Sequence, residues 1–336
     1  MLDRGPKPWQ IPAGDIGIKG IGWYWGDRRP IDRMPLLAAD PEKLAAFAAR
    51  GFKYYTRSPV DEVEMTVRSC RETLRRSAMC PADIDAVLIG WAEHRWYKNM
   101  QERLGREVCV ALGFGNTHML GITLAGCCSF AELLRMARNL IVAEGYRSVL
   151  VVDVNRCNPD ESDRLVGPDW TIYSDGAASC VVTTHEPEFA LRSVVRNSPS
   201  VPGHWKTGKR GALAQRVASS SMAYQRAMLH AGLAKADVKQ FFMPNLGPHL
   251  LKYQARLLAL PTDRIFLSNI PTIAHVWSAD PAINLYNHCQ YNPAQPGDRF
   301  VAFQWAEGSF AVFVLERTVH PMLLEPPQFP FAEVAI

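Results

Sequence analysis

One short grammar occurs twice in this chain: an amphipathic helix, a compact acidic link, then a buried strand. In the first passage a helical segment over residues 63–74 precedes Pro81-Ala82-Asp83-Ile84 and the apolar run Asp85-Ala86-Val87-Leu88-Ile89-Gly90. In the second, a helix over 214–231 leads through Ala234-Lys235-Ala236-Asp237 to Phe241-Phe242-Met243. A further strand at 150–154 follows a helix over 130–144. There Phe130, Leu133, Leu134, Ala137, Leu140 and Ile141 recur at steps of three, four and seven, and Gly145 supplies the terminating glycine. Strands that are apolar throughout need cover on both faces, so the alternation predicts an α/β protein. The repeated grammar suggests an internal duplication with its joint near residues 186–200, where Pro199, Pro202 and Gly203 suit a connection. An N-terminal half over 1–188 and a C-terminal half over 189–336 are expected.

Charge narrows the function classes. The 37 basic and 33 acidic residues are interspersed, so no basic run or helix marks a nucleic-acid surface. The net +4 suits an acidic partner such as an acyl carrier protein, and equally suits plain solvation. The eight cysteines form no CxxC pair and no Cys/His cluster with zinc-ligand spacing, so no metal is expected. Most read as small buried hydrophobes in a reducing compartment. The residues from Met1 to Pro6 carry no signal pattern, and the longest apolar runs are too short for a bilayer. A soluble cytoplasmic protein is expected.

The strongest local feature is Gly121-Ile122-Thr123-Leu124-Ala125-Gly126-Cys127-Cys128-Ser129-Phe130. A strand-like run ends in small residues and a cysteine, and a helix starts at once. Unpaired N–H groups at a helix N-terminus favour a thiolate and can hold an oxyanion on an attacked thioester. On the residues alone, a buried structural cysteine ahead of a helix is the commoner outcome.

Ala125-Gly126-Cys127-Cys128-Ser129-Phe130 resembles the Ala-Ala-Cys-Ser-Gly-Phe nucleophile motif of the ketoacyl synthase III family, with Cys127 on the nucleophile and Cys128 on the small residue after it. Ile172 to Ala178 resembles the family's Phe-Gly-Asp-Gly-Ala-Gly segment. Gly297-Asp298 before Phe300-Val301-Ala302-Phe303 is similar to its late Pro-Gly-Asp strand. The likeness runs from about residue 16 to 317. It implies a five-layer αβαβα thiolase fold of two pseudo-duplicated halves and a homodimer or a heterodimer with a homologous subunit.

The other two catalytic positions depart from the family's pattern. Its histidine lies in Pro-His-Gln-Ala-Asn, where this chain has Pro244-Asn245-Leu246-Gly247-Pro248-His249. Its asparagine lies in Gly-Asn-Thr-Ser-Ala-Ala, where this chain has Ala274-His275-Val276-Trp277-Ser278-Ala279. Asn245 and His275 therefore look exchanged, as in the thiolase branch of the superfamily. His275 is expected as the proton-moving group and Asn245 as a hydrogen-bond donor, with His249 the rival base. The glycine-rich turn of the family is replaced by Trp305-Ala306-Glu307-Gly308-Ser309, and its oxyanion N–H falls on Ala306, beside that of Cys127. The second thiolase cysteine has no counterpart in that turn.

The resemblance implies an enzyme that takes an acyl group onto Cys127 from a coenzyme A or phosphopantetheine-carrier thioester, with no permanently bound cofactor. The usual acceptor is a malonyl-type thioester, giving a 3-oxoacyl product; the exchanged pair suggests specialised metabolism. Residues 44–52 lack the tryptophan that stacks on adenine, which favours a carrier-borne donor. Acyl transfer to oxygen or nitrogen, a non-catalytic partner-subunit role, and a condensation without decarboxylation remain open. The aromatic runs Trp23-Tyr24-Trp25 and His94-Arg95-Trp96-Tyr97 suit an acyl channel, a dimer contact or simple packing.

Overall fold

The computed structural model describes residues 15–92, 100–115, 117–198, 210–306 and 308–328. The first half of the chain runs β1 (Gly17–Trp25), β2 (Asp27–Pro30), α1 (Pro35–Ala38), α2 (Pro41–Ala49), β3 (Tyr54–Arg57), α3 (Glu62–Ser77), β4 (Ala86–Gly90), α4 (Met100–Leu112) and β5 (His118–Ile122). It continues through α5 (Ser129–Glu144), β6 (Ser148–Asn155), β7 (Leu165–Val166), β8 (Thr171–Ile172) and β9 (Gly176–Thr183). Then follow β10 (Phe189–Asn197), α6 (Arg210–Ala231), β11 (Val238–Phe242) and α7 (Pro248–Leu257). The chain closes with β12 (Ile265–Phe266), α8 (Ile270–Ile273), α9 (Asp280–Tyr291), β13 (Arg299–Ala306) and β14 (Ser309–Arg317).

The expected helices and strands form, with boundaries moved by a few residues. The helix read over 63–74 extends to Glu62–Ser77, and the strand read at 241–243 begins at Val238. Gly145 ends α5 in the left-handed region at φ 68°. Pro199, Pro202 and Gly203 lie outside the described residues, as does the run 94–97.

Ten strands form a mixed sheet in the order β12-β11-β13-β14-β10-β1-β9-β6-β4-β5. Numbered by their own sequence order, the five strands on either side of the β10–β1 seam both run 3-2-4-5-1. Pairing is parallel for β4 with β5 and β6, and for β11 with β12 and β13. It is antiparallel for the strands nearer the seam. The seam itself is short, joining only Gly17 to Ala190 and Ile18 to Phe189. That leaves room for α5 and α9 between two five-stranded faces: α5 packs on β4, β6, β10 and β14, and α9 on β1, β9, β11 and β13. Helix α3 covers the outer face of the first five strands, and α6 that of the second. The result is five layers, helix and sheet alternating.

The middle layer explains why α9 is unlike a surface helix. Every residue from Asp280 to Cys289 is buried, including Asn284, Asn287 and His288. A helix wetted on no side must satisfy its polar groups internally. Trp23 belongs to the same interior: its ring lies 4.3 Å from that of Tyr286, and the Arg76 guanidinium sits 4.1 Å from the Trp23 ring. The aromatic group at 23–25 is therefore packing. Among the described residues no helix is long and apolar enough to cross a membrane.

Two positions make this packing testable. A Cβ built on Gly176 would lie 2.4 Å from Val276 Cγ1, so this glycine lets β9 approach the loop that carries His275. Gly176→Ala is expected to lower stability by about 1–3 kcal/mol in denaturant titrations, as overpacked cores do; an unchanged midpoint would show that the two segments can separate freely. Glu188, buried beside the seam, accepts from the Gly20 N–H at 3.2 Å, and burial lifts its carboxyl to about 7 from an ordinary value of 4.5. A raised carboxyl favours the folded state fully below pH 4.5 and loses that contribution as pH rises through 7. Glu188→Gln should thus gain on the wild type by up to about 3 kcal/mol between pH 4.5 and 8. Parallel stability curves for the two proteins would refute the assignment.

Candidate active site

Cys127 does not sit in α5 itself. Four residues separate it from the end of β5 at Ile122 in a run that includes Leu124 at φ 62°, and Gly126–Cys128 make a 3-10 turn that feeds α5. The half-buried Cys127 packs against a small cluster of Ala92, Cys157 and Trp277, with Tyr173 alongside. Burial is the first cause pushing the thiol well above its ordinary range, followed by Cys128 and the carboxylates of Asp153 and Asp280; a hydrogen bond with Tyr173 works the other way. The thiolate expected from the helix N-terminus meets opposition from these groups. Desolvation and the two nearby carboxylates act against the helix terminus, so attack by this sulfur would call for a base.

Cys128, beside it, faces inward. Its Sγ lies 3.5 Å from Gln304 O and 3.7 Å from Ser309 O, and burial lifts it to about 12. Cys128 is structural. Gln304 of β13 receives the Ala131 N–H at 2.8 Å on Oε1 and donates through Nε2 to Ser278 O. One side chain thus satisfies an otherwise unpaired donor of the first turn of α5 and ties it to the His275 loop.

His275 is buried, and its backbone is pinned on both sides: its N–H donates to Ile172 O at 3.0 Å and its carbonyl accepts from Ser174 N at 2.9 Å. The imidazole Nδ1 makes a short hydrogen bond to Asp280. Asp280 opens α9, and its fully buried carboxylate also accepts from Val276 N and Asn245 N, each at 2.7 Å. A carboxylate on Nδ1 fixes the ring's orientation and leaves Nε2 as the nitrogen able to take a proton. Sequence reasoning missed Asp280. The available signal was Asp280-Pro281, a helix-start pair, which announces α9 and says nothing of the histidine five residues earlier.

Asn245 is brought to the same place and differs from its expected role. Its Nδ2 donates to Ala274 O at 2.8 Å and to Asp280 at 3.1 Å, while Oδ1 accepts from Asn284 Nδ2 at 3.0 Å. Both amide hydrogens are therefore engaged, and the side chain holds Asp280 and the loop before His275. His249 is elsewhere: its Nε2 lies 3.6 Å from Asp169, which Arg50 also bonds at 2.7 Å. Burial is the main influence lowering its basicity. Ala306 ends β13 beside Gly126, whose hypothetical Cβ would meet the Ala306 Cβ at 3.0 Å. Glu307 lies outside the described residues.

A second buried acid completes the surroundings. Asp153, at the end of β6, makes a short hydrogen bond with Ser129 and accepts from Asn155 Nδ2 at 2.6 Å; Ser129 Oγ lies 2.7 Å from Ser278 Oγ. Burial lifts the Asp153 carboxyl to about 6.

No protein-family model matches the chain. The mycobacterial beta-ketoacyl-[acyl-carrier-protein] synthase III of Mycobacterium tuberculosis (strain H37Rv) is 27% identical over 175 residues, 51% of this chain; in that match the chain spans about half (50%) of the relative's length. The corresponding synthase of Mycobacterium marinum is 24% identical over 326 residues, covering 89% of this chain and 95% of the relative. Among solved structures the acyltransferase ChlB3 superposes with a TM-score of 0.79 at 18% identity over 90% of this chain and 98% of its own, which shows the fold. Five alternating layers and a cysteine ahead of the central helix α5 agree with these likenesses: the chain has the thiolase fold and is similar to ketoacyl synthase III enzymes.

Proposed function

We propose that this chain is an acyltransferase working through a Cys127 acyl thioester, and that its acceptor is a hydroxyl or amine. The observation that carries the reading is the His275 Nδ1–Asp280 bond at a buried carboxylate, beside a thiol that burial keeps protonated. A base oriented by a third group is what an inactive thiol needs. His275 Nε2 takes the Cys127 proton as sulfur attacks the thioester carbonyl. The backbone N–H groups of Cys127 and Ala306 hold the oxyanion. The carbonyl re-forms, the donor thiolate leaves with the proton from His275, and the acyl group stays on sulfur. In the second half His275 takes the acceptor's proton as its oxygen or nitrogen attacks, and Cys127 leaves and is reprotonated.

Asn245 supports the choice of acceptor. Decarboxylative condensation with a malonyl-type thioester develops a second oxyanion, on the malonyl carbonyl, which needs a donor of its own. The Asn245 hydrogens are committed to Ala274 and Asp280, so the geometry favours transfer without a new carbon–carbon bond. Condensation is the second reading, supported by the synthase III relatives. Donors are coenzyme A or carrier-protein thioesters. Strand β5 ends the sheet with one open edge, which suits pairing with a second copy or a homologous subunit; light scattering giving a monomer mass at micromolar concentration would exclude it. A cytoplasmic location is part of the same proposal.

Intact-protein mass spectrometry with acyl-coenzyme A and acyl-carrier donors tests the reading. Wild type is expected to gain one acyl mass that Cys127→Ala does not. His275→Ala and Asp280→Asn should load about 10²–10⁴-fold more slowly. Asn245→Ala should weaken loading less, because the remaining donors still hold Asp280. Loaded enzyme should then acylate an amine or alcohol panel without carbon dioxide release. A 3-oxoacyl product and carbon dioxide from malonyl-carrier would establish condensation instead. No adduct from any donor would leave the partner-subunit role.

A further inference from the structure

Trp277 is expensive to keep where it is. Its backbone lies at φ 52°, a region that bulky residues avoid, so holding it there costs on the order of 1–3 kcal/mol. The side chain is 4% exposed, and its indole Nε1–H is buried with no hydrogen-bond partner, a further cost in folding free energy. Nothing in the fold demands an indole here: the Gly-Asn-Thr-Ser-Ala-Ala motif that Ala274–Ala279 resembles has serine at this position. What the ring does touch is the reacting group's surroundings. It stacks on Tyr173 with centroids 3.6 Å apart and planes 8° from parallel, Tyr173 bonds the Cys127 thiol, and Cys127 packs against the cluster the indole forms with Ala92 and Cys157. Strain and an orphaned donor concentrated at one site residue point to a role in the site.

We propose that Trp277, backed by Tyr173, is a size gate that restricts the group carried on Cys127 to short acyl chains. An acyl group on sulfur must run outward from Sγ, and on this side two stacked rings occupy the space. A chain of eight or more carbons has to displace a buried, stacked indole held by the loop between α8 and α9. The proposal rests on the acyl-enzyme reading for its biological meaning, but the gate can be measured without acylation.

Alkyl methanethiosulfonates provide that measurement. The cysteine sulfur forms a disulfide with the reagent's S-alkyl group, and methanesulfinate leaves. Labelling at Cys127 by methyl and octyl reagents is compared by peptide mass spectrometry, with the exposed Cys80 of the same molecule as the ungated reference. In wild type the octyl-to-methyl rate ratio at Cys127 should be at least tenfold below that at Cys80. In Trp277→Ser it should rise to within about threefold of Cys80, while Trp277→Phe, which keeps a stacking ring, should rise far less. Acetyl-, butyryl-, octanoyl- and dodecanoyl-coenzyme A loading should follow the same order. Equal ratios at Cys127 and Cys80 in wild type overturn the gate even if Trp277→Ser fails to fold. So does a folded Trp277→Ser with an unmoved ratio. A gate seen with the thiosulfonates but no loading from any acyl donor keeps this inference and discards the acyl-enzyme reading.

Discussion

The site depends on one buried carboxylate. Asp280 is fully buried at the start of α9 and accepts from His275 Nδ1, Val276 N and both nitrogens of Asn245. Such a group is tolerable in the interior only when its lone pairs are filled, and here the positive end of α9 adds to the donors. The same bonds tie together three stretches far apart in sequence: the exit of β11, the loop after α8 and the first turn of α9. Removing any donor would expose the others to rearrangement, so the carboxylate is both a tether for the fold and the group that aims the imidazole.

This arrangement accounts for the exchanged Asn/His pair. With histidine at 275, a carboxylate five residues along can reach Nδ1, because the chain between them folds back through the 3-10 turn Trp277–Ala279, with Trp277 at φ 52°. The asparagine at 245 then has different work. Its side chain fills Asp280, Ala274 and Asn284 instead of facing a substrate. The two residue types are the same as in the motifs this chain resembles, but their surroundings differ: one imidazole with an acid behind it, and one amide spent on its neighbours.

The thiol shows how competing effects are decided by magnitude. A helix dipole is worth about 0.3–1 kcal/mol at an ordinary terminus. Burial beside the carboxylates of Asp153 and Asp280 acts in the opposite direction and raises the Cys127 thiol above its ordinary range, which is why the proposed attack calls for a base. Ser129 and Ser278 link Asp153 to both the first turn of α5 and the loop of His275, and Gln304 fastens that turn from β13. Cys127 is thus held by both halves of the sheet.

Much of this protein was legible in its residues. The alternation of apolar runs with helical periodicity determined an α/β chain, and the repeated helix-link-strand unit anticipated strands that follow the same 3-2-4-5-1 order on each side of the seam. Cys127 and His275 were identifiable because ordered motifs keep their spacing along a chain. Asp280, the engaged amide of Asn245 and the Trp277–Tyr173 stack were not, for a common reason. Each depends on direction and distance across elements that meet only after folding: a carboxylate pointing back at a histidine, hydrogens already spent on neighbours, a ring laid on another ring. Periodicity and motif carry one-dimensional order, and they determined the layers and singled out the proposed nucleophile. Which lone pairs are filled, and which way a thiol's proton equilibrium leans, is settled only where the buried groups face one another in the folded chain.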